Sequence, residues 1–192
     1  MSSQAKLYLG RADHGAPLSH TEFAEADFEE PLWYERVDGR LVVMPPAGHD
    51  HCVTGEPFRD HLGAYKLTHP ELVEFVVSEA WIVIDEETER IADIGVYLHG
   101  KQSGLRIPRR VPEAVFEMVS EGAQDRERDY KEKRAEYRRL GVQEYVVVDR
   151  FERQVTVFRL HGNRYRKTIL GPEDVYTTPL LPDLEIPLGA IL

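Results

Sequence analysis

Residues 115–120, "VFEMVS", restrict the fold more than any other stretch of the chain. Val115, Phe116, Met118 and Val119 are the side chains of a strand packed on both faces, and Glu117 sits among them. Alternation along a strand puts Val115, Glu117 and Val119 on one face and Phe116 with Met118 on the other. A lone ionised carboxylate in such a place costs several kcal/mol unless it is paired or bound to a metal. Asp93 repeats the anomaly: "IADIGVYL" is apolar around it, and Asp is a poor strand former. Two carboxylates in the middles of two nearby strands point to a shared site.

The elements around these strands can be read in order. Residues 1–20 mix Gly, Pro and polar residues and are expected to form a flexible N-terminal arm, with one domain over residues 21–192. Ser19 or Thr21 caps a first helix. "WYERVDGRLVVM" is a hairpin turning at Asp38-Gly39. A helix runs from His49 to about Leu67, with Val53, Phe58, Leu62 and Tyr65 on one side and Pro57 inside it. Three strand-like runs follow, "LVEFVV", "AWIVID" and "IADIGVYL", then the loop "GKQSGLRIPRR" and the Glu117 strand. "QDRERDYKEKRAEYRRLG" is the clearest helix and closes at Gly141. "EYVVVD" and "QVTVFRL" are strands, and the proline-containing tail is expected to be mostly loop with a few edge strands. The order predicts a mixed α/β domain.

A net charge of −10 argues against nucleic-acid binding by bulk charge, so any such contact requires a local patch. Arg106, Arg109 and Arg110 lie before the Glu117 strand. Arg126, Arg128, Lys131, Lys133, Arg134, Arg138 and Arg139 stud the helix after it, so both groups flank the proposed site. The single cysteine, Cys52, excludes an internal disulfide and fits a reducing, cytoplasmic setting; it is read as a buried small residue. No run approaches the roughly 18 apolar residues of a membrane span. Apolar runs near the C-terminus suggest a homodimer.

Two readings of the acids stand at this point. In one, each acid is satisfied by an arginine or a backbone group. In the other, Asp93 and Glu117 hold Mg²⁺ (or Mn²⁺), which needs only one or two carboxylates because it keeps waters and takes phosphate oxygens. Such a site serves phosphodiester hydrolysis. Asp129, Lys133 and Tyr137, spaced four apart, share one helix face. A lysine beside a phosphate stabilises the transition state, whereas the bland alternative is a surface Asp129–Lys133 pair.

"YERVDGRLVVMPP", a following His, an Asp in a strand, "FEMVS", "DYKEKRAEYRRLGVQEYVVVD" and "VFRL" resemble the Uma2 (Uma-two) family of restriction endonucleases, within the PD-(D/E)XK superfamily. The resemblance runs from about Trp33 to the C-terminus. It implies a restriction-endonuclease-like core, a central mixed β-sheet flanked by helices, and a metal-dependent endonuclease acting on DNA. By the resemblance Asp93 is the motif aspartate and Glu117 its second acid. The usual lysine position is Val119, so Lys133 on the next helix takes that role, with Lys131 pointing elsewhere. Glu35, His51, Tyr137 and Asp129 are accessory candidates, and Glu79 an outer one. Departures from the family pattern, Ala92 before Asp93 and Glu121 after Ser120, leave an alternative: a catalytically inactive nuclease-fold module that binds DNA or protein.

Overall fold

Asp38 and Gly39 both adopt positive φ, 50° and 70°, as the tight turn of a two-residue hairpin requires. They join β3 (Trp33–Val37) to β4 (Arg40–Met44) in register from Trp33↔Met44 to Val37↔Arg40. This hairpin forms one end of a mixed sheet in a computed structural model that describes residues 6–100, 102 and 105–192. The part of the expected arm at residues 1–5, and residues 101, 103 and 104 of the expected loop, lie outside the described residues.

Before the hairpin come β1 (Tyr8–Leu9), α1 (His20–Glu25) and β2 (Asp27–Phe28). Ser19 caps α1, with Glu22 bonding back to the Ser19 amide at 2.9 Å. Where composition predicts a loose arm, residues 6–19 lie against the domain instead. Leu9 and Leu18 are buried with Phe23 and Leu41, β1 pairs β2, and the Leu18 amide donates to Gly39 O at 2.8 Å. Two buried leucines and these ladder bonds hold the segment down despite its polar composition.

α2 (His49–Thr68) leads to β5 (Val73–Val83) and β6 (Glu89–Leu98), which form a long antiparallel pair. The sequence separates "LVEFVV" from "AWIVID", but β5 runs through both, because Ser78 and Ala80 keep the same register with Ile94 and Ala92. On α2, Phe58, Leu62 and Tyr65 are buried as expected, while Val53 and Cys52 are exposed. His49, Asp50, Cys52 and Val53 are exposed at the start of α2, while His51 between them is half-buried.

β7 (Ala114–Met118) pairs β6 antiparallel and β8 (Glu144–Asp149) parallel, and β9 (Gln154–His161) and β10 (Arg164–Leu170) complete that side of the sheet. β11 (Val175–Thr178) and β12 (Leu181–Pro187) form a small sheet whose Tyr176, Leu184 and Ile186 cover the α2 face. The tail is therefore more ordered than predicted. Pro182 and Pro187 are tolerated because β12 has only one partner.

The chain between the parallel β7 and β8 is the predicted helix, interrupted: α3 (Ala123–Glu127), a π-helical segment Arg128–Lys133, and α4 (Arg134–Leu140), closed by Gly141 at φ 89°. α2 packs on one face of the sheet with Phe116 and Met118; α4 packs on the other with Val115 and Val119. Both faces of β7 are thus covered, as its residues demand. Among the described residues, no helix is long and apolar enough to cross a membrane.

Candidate active site

The sheet forks at β6. β5 occupies one edge of β6 along its whole length. On the other edge β7 pairs only at 94–96, and β3 only at Arg36↔Glu89. The edge from Arg90 to Asp93 therefore faces a gap. One step beyond the last pair, Ile94↔Phe116, the same register would set Asp93 opposite Glu117.

Side chains take the place of the missing ladder. Asp93 Oδ2 accepts the Met118 amide at 2.6 Å. Glu35 Oε1 accepts the Ile91 amide at 2.9 Å, and Lys133 Nζ donates to Ile91 O at 3.0 Å. Buried backbone groups need partners, so these residues close the gap.

Lys133 comes from the π-helical segment, and its Nζ also donates to Glu117 Oε1 at 2.9 Å and lies 3.7 Å from Glu35 Oε1. The Tyr137 hydroxyl donates to the same Glu117 oxygen at 3.0 Å. Glu117 Oε2 takes no hydrogen bond among the described residues. His51 Nε2 lies 3.0 Å from Asp93 Oδ1, and its Nδ1 is 3.4 Å from Ser120 Oγ. Asp129 is buried beside Arg128, with Nε 3.3 Å from Oδ1, so the surface-pair alternative does not hold. Glu35, His51, Asp93, Glu117, Arg128 and Lys133 line one open cavity of about 290 Å³.

Burial, reinforced by the charges of Asp93 and Asp129, pushes Glu117 up to about 8 against the opposing pull of Lys133. Burial likewise raises Asp129, although Lys133 and Arg128 oppose it. Burial acts to lower Lys133, but Glu117, Glu35 and Asp129 outweigh it and hold the amine charged. Burial would raise Asp93 too; the His51 hydrogen bond and charge, Lys133 and the Met118 amide reverse that and hold it below its usual range. Glu35 is also lowered: burial is outweighed by Lys133, Arg90 and the Ile91 amide. The site therefore contains two acids, Glu117 and Asp129, whose charge the protein opposes, beside Asp93 and Glu35, whose charge it supports.

The structure brings together Asp93, Glu117 and Lys133, with Glu35, His51, Tyr137 and Asp129 around them. Glu79 does not reach this cavity. Among the described residues, Arg128 and Lys133 are the arginine and lysine that line it. Arg110 is buried and bonds Glu74 at 2.7 Å and Leu98 O at 2.6 Å, and Arg126 is paired with Asp149, so neither is free for a phosphate backbone. Lys131 is exposed and pairs with Glu127 at 2.8 Å.

Sequence reasoning missed Arg90. It is buried and donates to Glu35 at 3.0 Å, to Glu132 at 3.2 Å, and to Glu136 at 2.9 and 2.8 Å. The signal was present: Arg90 stands in the same strand as Asp93, an equally anomalous charge.

The Uma2 family, described as "Putative restriction endonuclease", matches residues 20–189, starting earlier than the motifs at Trp33 suggest. Among solved structures, a putative nuclease belonging to DUF820 from Anabaena variabilis ATCC 29413 superposes with a TM-score of 0.71. It is 16% identical and covers 91% of this chain and 97% of its own. At that identity the likeness speaks for the fold. A search of curated proteins finds no match. With 170 consecutive residues matched, from 20 to 189, this chain belongs to the Uma2 family.

Proposed function

We propose that the protein is a metal-dependent endonuclease that hydrolyses DNA phosphodiester bonds, with Asp93 and Glu117 as the ion's ligands and Lys133 as the catalytic amine. The observation that carries this reading is the placement of Glu117: a buried acid one step past the last β6–β7 pair, on the same cavity as Asp93, with burial opposing its ionisation.

The donor set fits Mg²⁺ or Mn²⁺. Among the described residues no three His, Cys, Asp or Glu side chains form a cage, which speaks against a fully protein-ligated ion. Two carboxylates on an open cavity suit a hard cation that completes its shell with water and phosphate oxygens. When bound, such an ion supplies charge neutralisation at the phosphate and acidifies water.

The chain's own groups do the rest. Lys133, held charged, donates to a phosphate oxygen as negative charge develops there. Tyr137 and Lys133 together fix one Glu117 oxygen, which leaves Oε2 for the ion. His51 and the Met118 amide orient Asp93. Arg128 lines the cavity wall paired with Asp125 and Asp129, and would have to exchange one of those pairs to meet a phosphate.

The test is cleavage of plasmid and of single-stranded DNA in Mg²⁺ or Mn²⁺ beside Glu117→Ala. Cleavage by the native protein alone supports the reading; equal cleavage by both, or by neither, removes it. A second reading, a nuclease-fold module that binds without cutting, draws on the Lys133–Glu117 pair, since an acid neutralised by an amine needs no cation. Calorimetric titration with Mn²⁺ separates the two: the module shows no heat that Asp93→Ala abolishes.

A further inference from the structure

A second cavity, of about 330 Å³, adjoins the first, and Trp33 and Ile91 line both. Its remaining walls include Phe28, Trp81 and Glu79. The rings are fixed in place. Trp81 Nε1–H donates to Glu89 at 3.1 Å, Trp81 meets Phe23 edge-on at 5.5 Å, and Phe28 packs on Tyr34 at 4.6 Å. Glu79 is the one acid on the wall, exposed and without a hydrogen bond or ion pair among the described residues. Its backbone is unusual as well. Ser78 pairs with Ile94 and Ala80 with Ala92, and between them Glu79 turns out of the ladder at φ 57°, a conformation such residues rarely adopt.

Resting on the endonuclease reading, we propose that this cavity receives an unpaired nucleobase of the nucleic acid whose backbone lies at Asp93 and Glu117, and that Glu79 selects bases carrying an amino group on the pairing edge. The occupant follows from the walls. A molecule with its phosphate in the first cavity can offer the second only a sugar or a base. Aromatic walls stack on a flat ring. A free carboxylate repels phosphate but accepts an N–H, as acidic side chains do from the cytosine amine. A base inside a duplex cannot reach the cavity unless it leaves the stack, so single-stranded or locally opened DNA is the preferred substrate.

Trp81 lines this cavity and not the first, whereas Trp33 lines both, so the emission of Trp81 in a Trp33→Phe background reads the occupancy of this cavity. The full chain in that background is titrated with short single-stranded oligo-dC, oligo-dT and a fully paired duplex, in Ca²⁺, and the recovered strands are checked for integrity. Expected are quenching by both single strands, little by the duplex, and about tenfold tighter binding of oligo-dC, the order of one base-edge contact. Glu79→Ala changes an exposed side chain and should bring oligo-dC to the affinity of oligo-dT. Equal emission changes with duplex and single strand, no change at all, a dC preference that survives Glu79→Ala, or a change that tracks protein concentration without DNA each overturns the proposal. Cleavage of DNA with a silent Trp81 removes the base pocket alone. Specific quenching without any cleavage removes the nuclease reading alone.

Discussion

Replacing Glu117 by glutamine should stabilise the protein in the absence of divalent metal. Glutamine is isosteric with the protonated acid, and its carbonyl can still accept from Lys133 and Tyr137. The native acid, raised from 4.5 to about 8 chiefly by burial, must take up a proton on folding at pH 7. The interval from pH 4.5 to 7 spans about 2.5 pH units, and at about 1.36 kcal/mol per unit the cost is about 3 kcal/mol. The sign follows from linkage. Between 4.5 and 8 the folded state binds more protons than the unfolded one, so native stability falls as pH rises through that window. For a chain of this length about 3 kcal/mol corresponds to roughly 6–12 °C in Tm. Thermal unfolding in EDTA at pH 7 and again near pH 4.5 measures it: the variant gains at pH 7, and the gap closes at the lower pH. Adding Mn²⁺ then raises the native Tm but not the variant's. A variant no more stable than native at pH 7, or a difference that ignores pH, would refute the account of Glu117 as an acid strained by its surroundings.

Three further outcomes are expected. Lys133→Ala should lower cleavage by at least about 10²-fold and cost several kcal/mol in urea unfolding, because the ionised Glu35 and the Ile91 carbonyl lose a buried partner; Lys131→Ala, at an exposed pair, should change neither. Arg90→Ala should destabilise by about 3–5 kcal/mol without rescue by Arg90→Lys, since one ammonium cannot reproduce the bonds to Glu35, Glu132 and Glu136. Metal binding at pH 7 should release close to one proton from Glu117, so the Mn²⁺ affinity rises with pH and levels off above about 8; calorimetry in buffers of different ionisation enthalpy counts that proton, and Asp93→Asn should remove the heat.

Much of this molecule is legible in residue order because it is local. The Asp38-Gly39 turn, the Ser19 cap, the doubly covered β7 and the Gly141 stop each announce themselves within a few residues. The anomalous acids Asp93 and Glu117 were legible for the same reason. What periodicity does not encode is which edge pairs with which, and the fork in β6 is a fact about edges. β10 went unread because most of its side chains face solvent and leave no apolar alternation. The docked residues 6–19 are polar in composition yet anchored by two leucines. Arg110 looked available for DNA only because sequence does not show Glu74 and Leu98 closing around it. The π-helical segment carries ordinary helix-forming residues, so nothing in the pattern marks it.

The fork also makes the protein its own spectroscopic probe. The amide protons of Ile91 and Met118 point not at a neighbouring strand but at the carboxylates of Glu35 and Asp93. Their nuclear resonances will therefore register any charge that arrives between those acids. Two backbone signals, with no label attached, can follow ions, protons and substrate entering the site one event at a time.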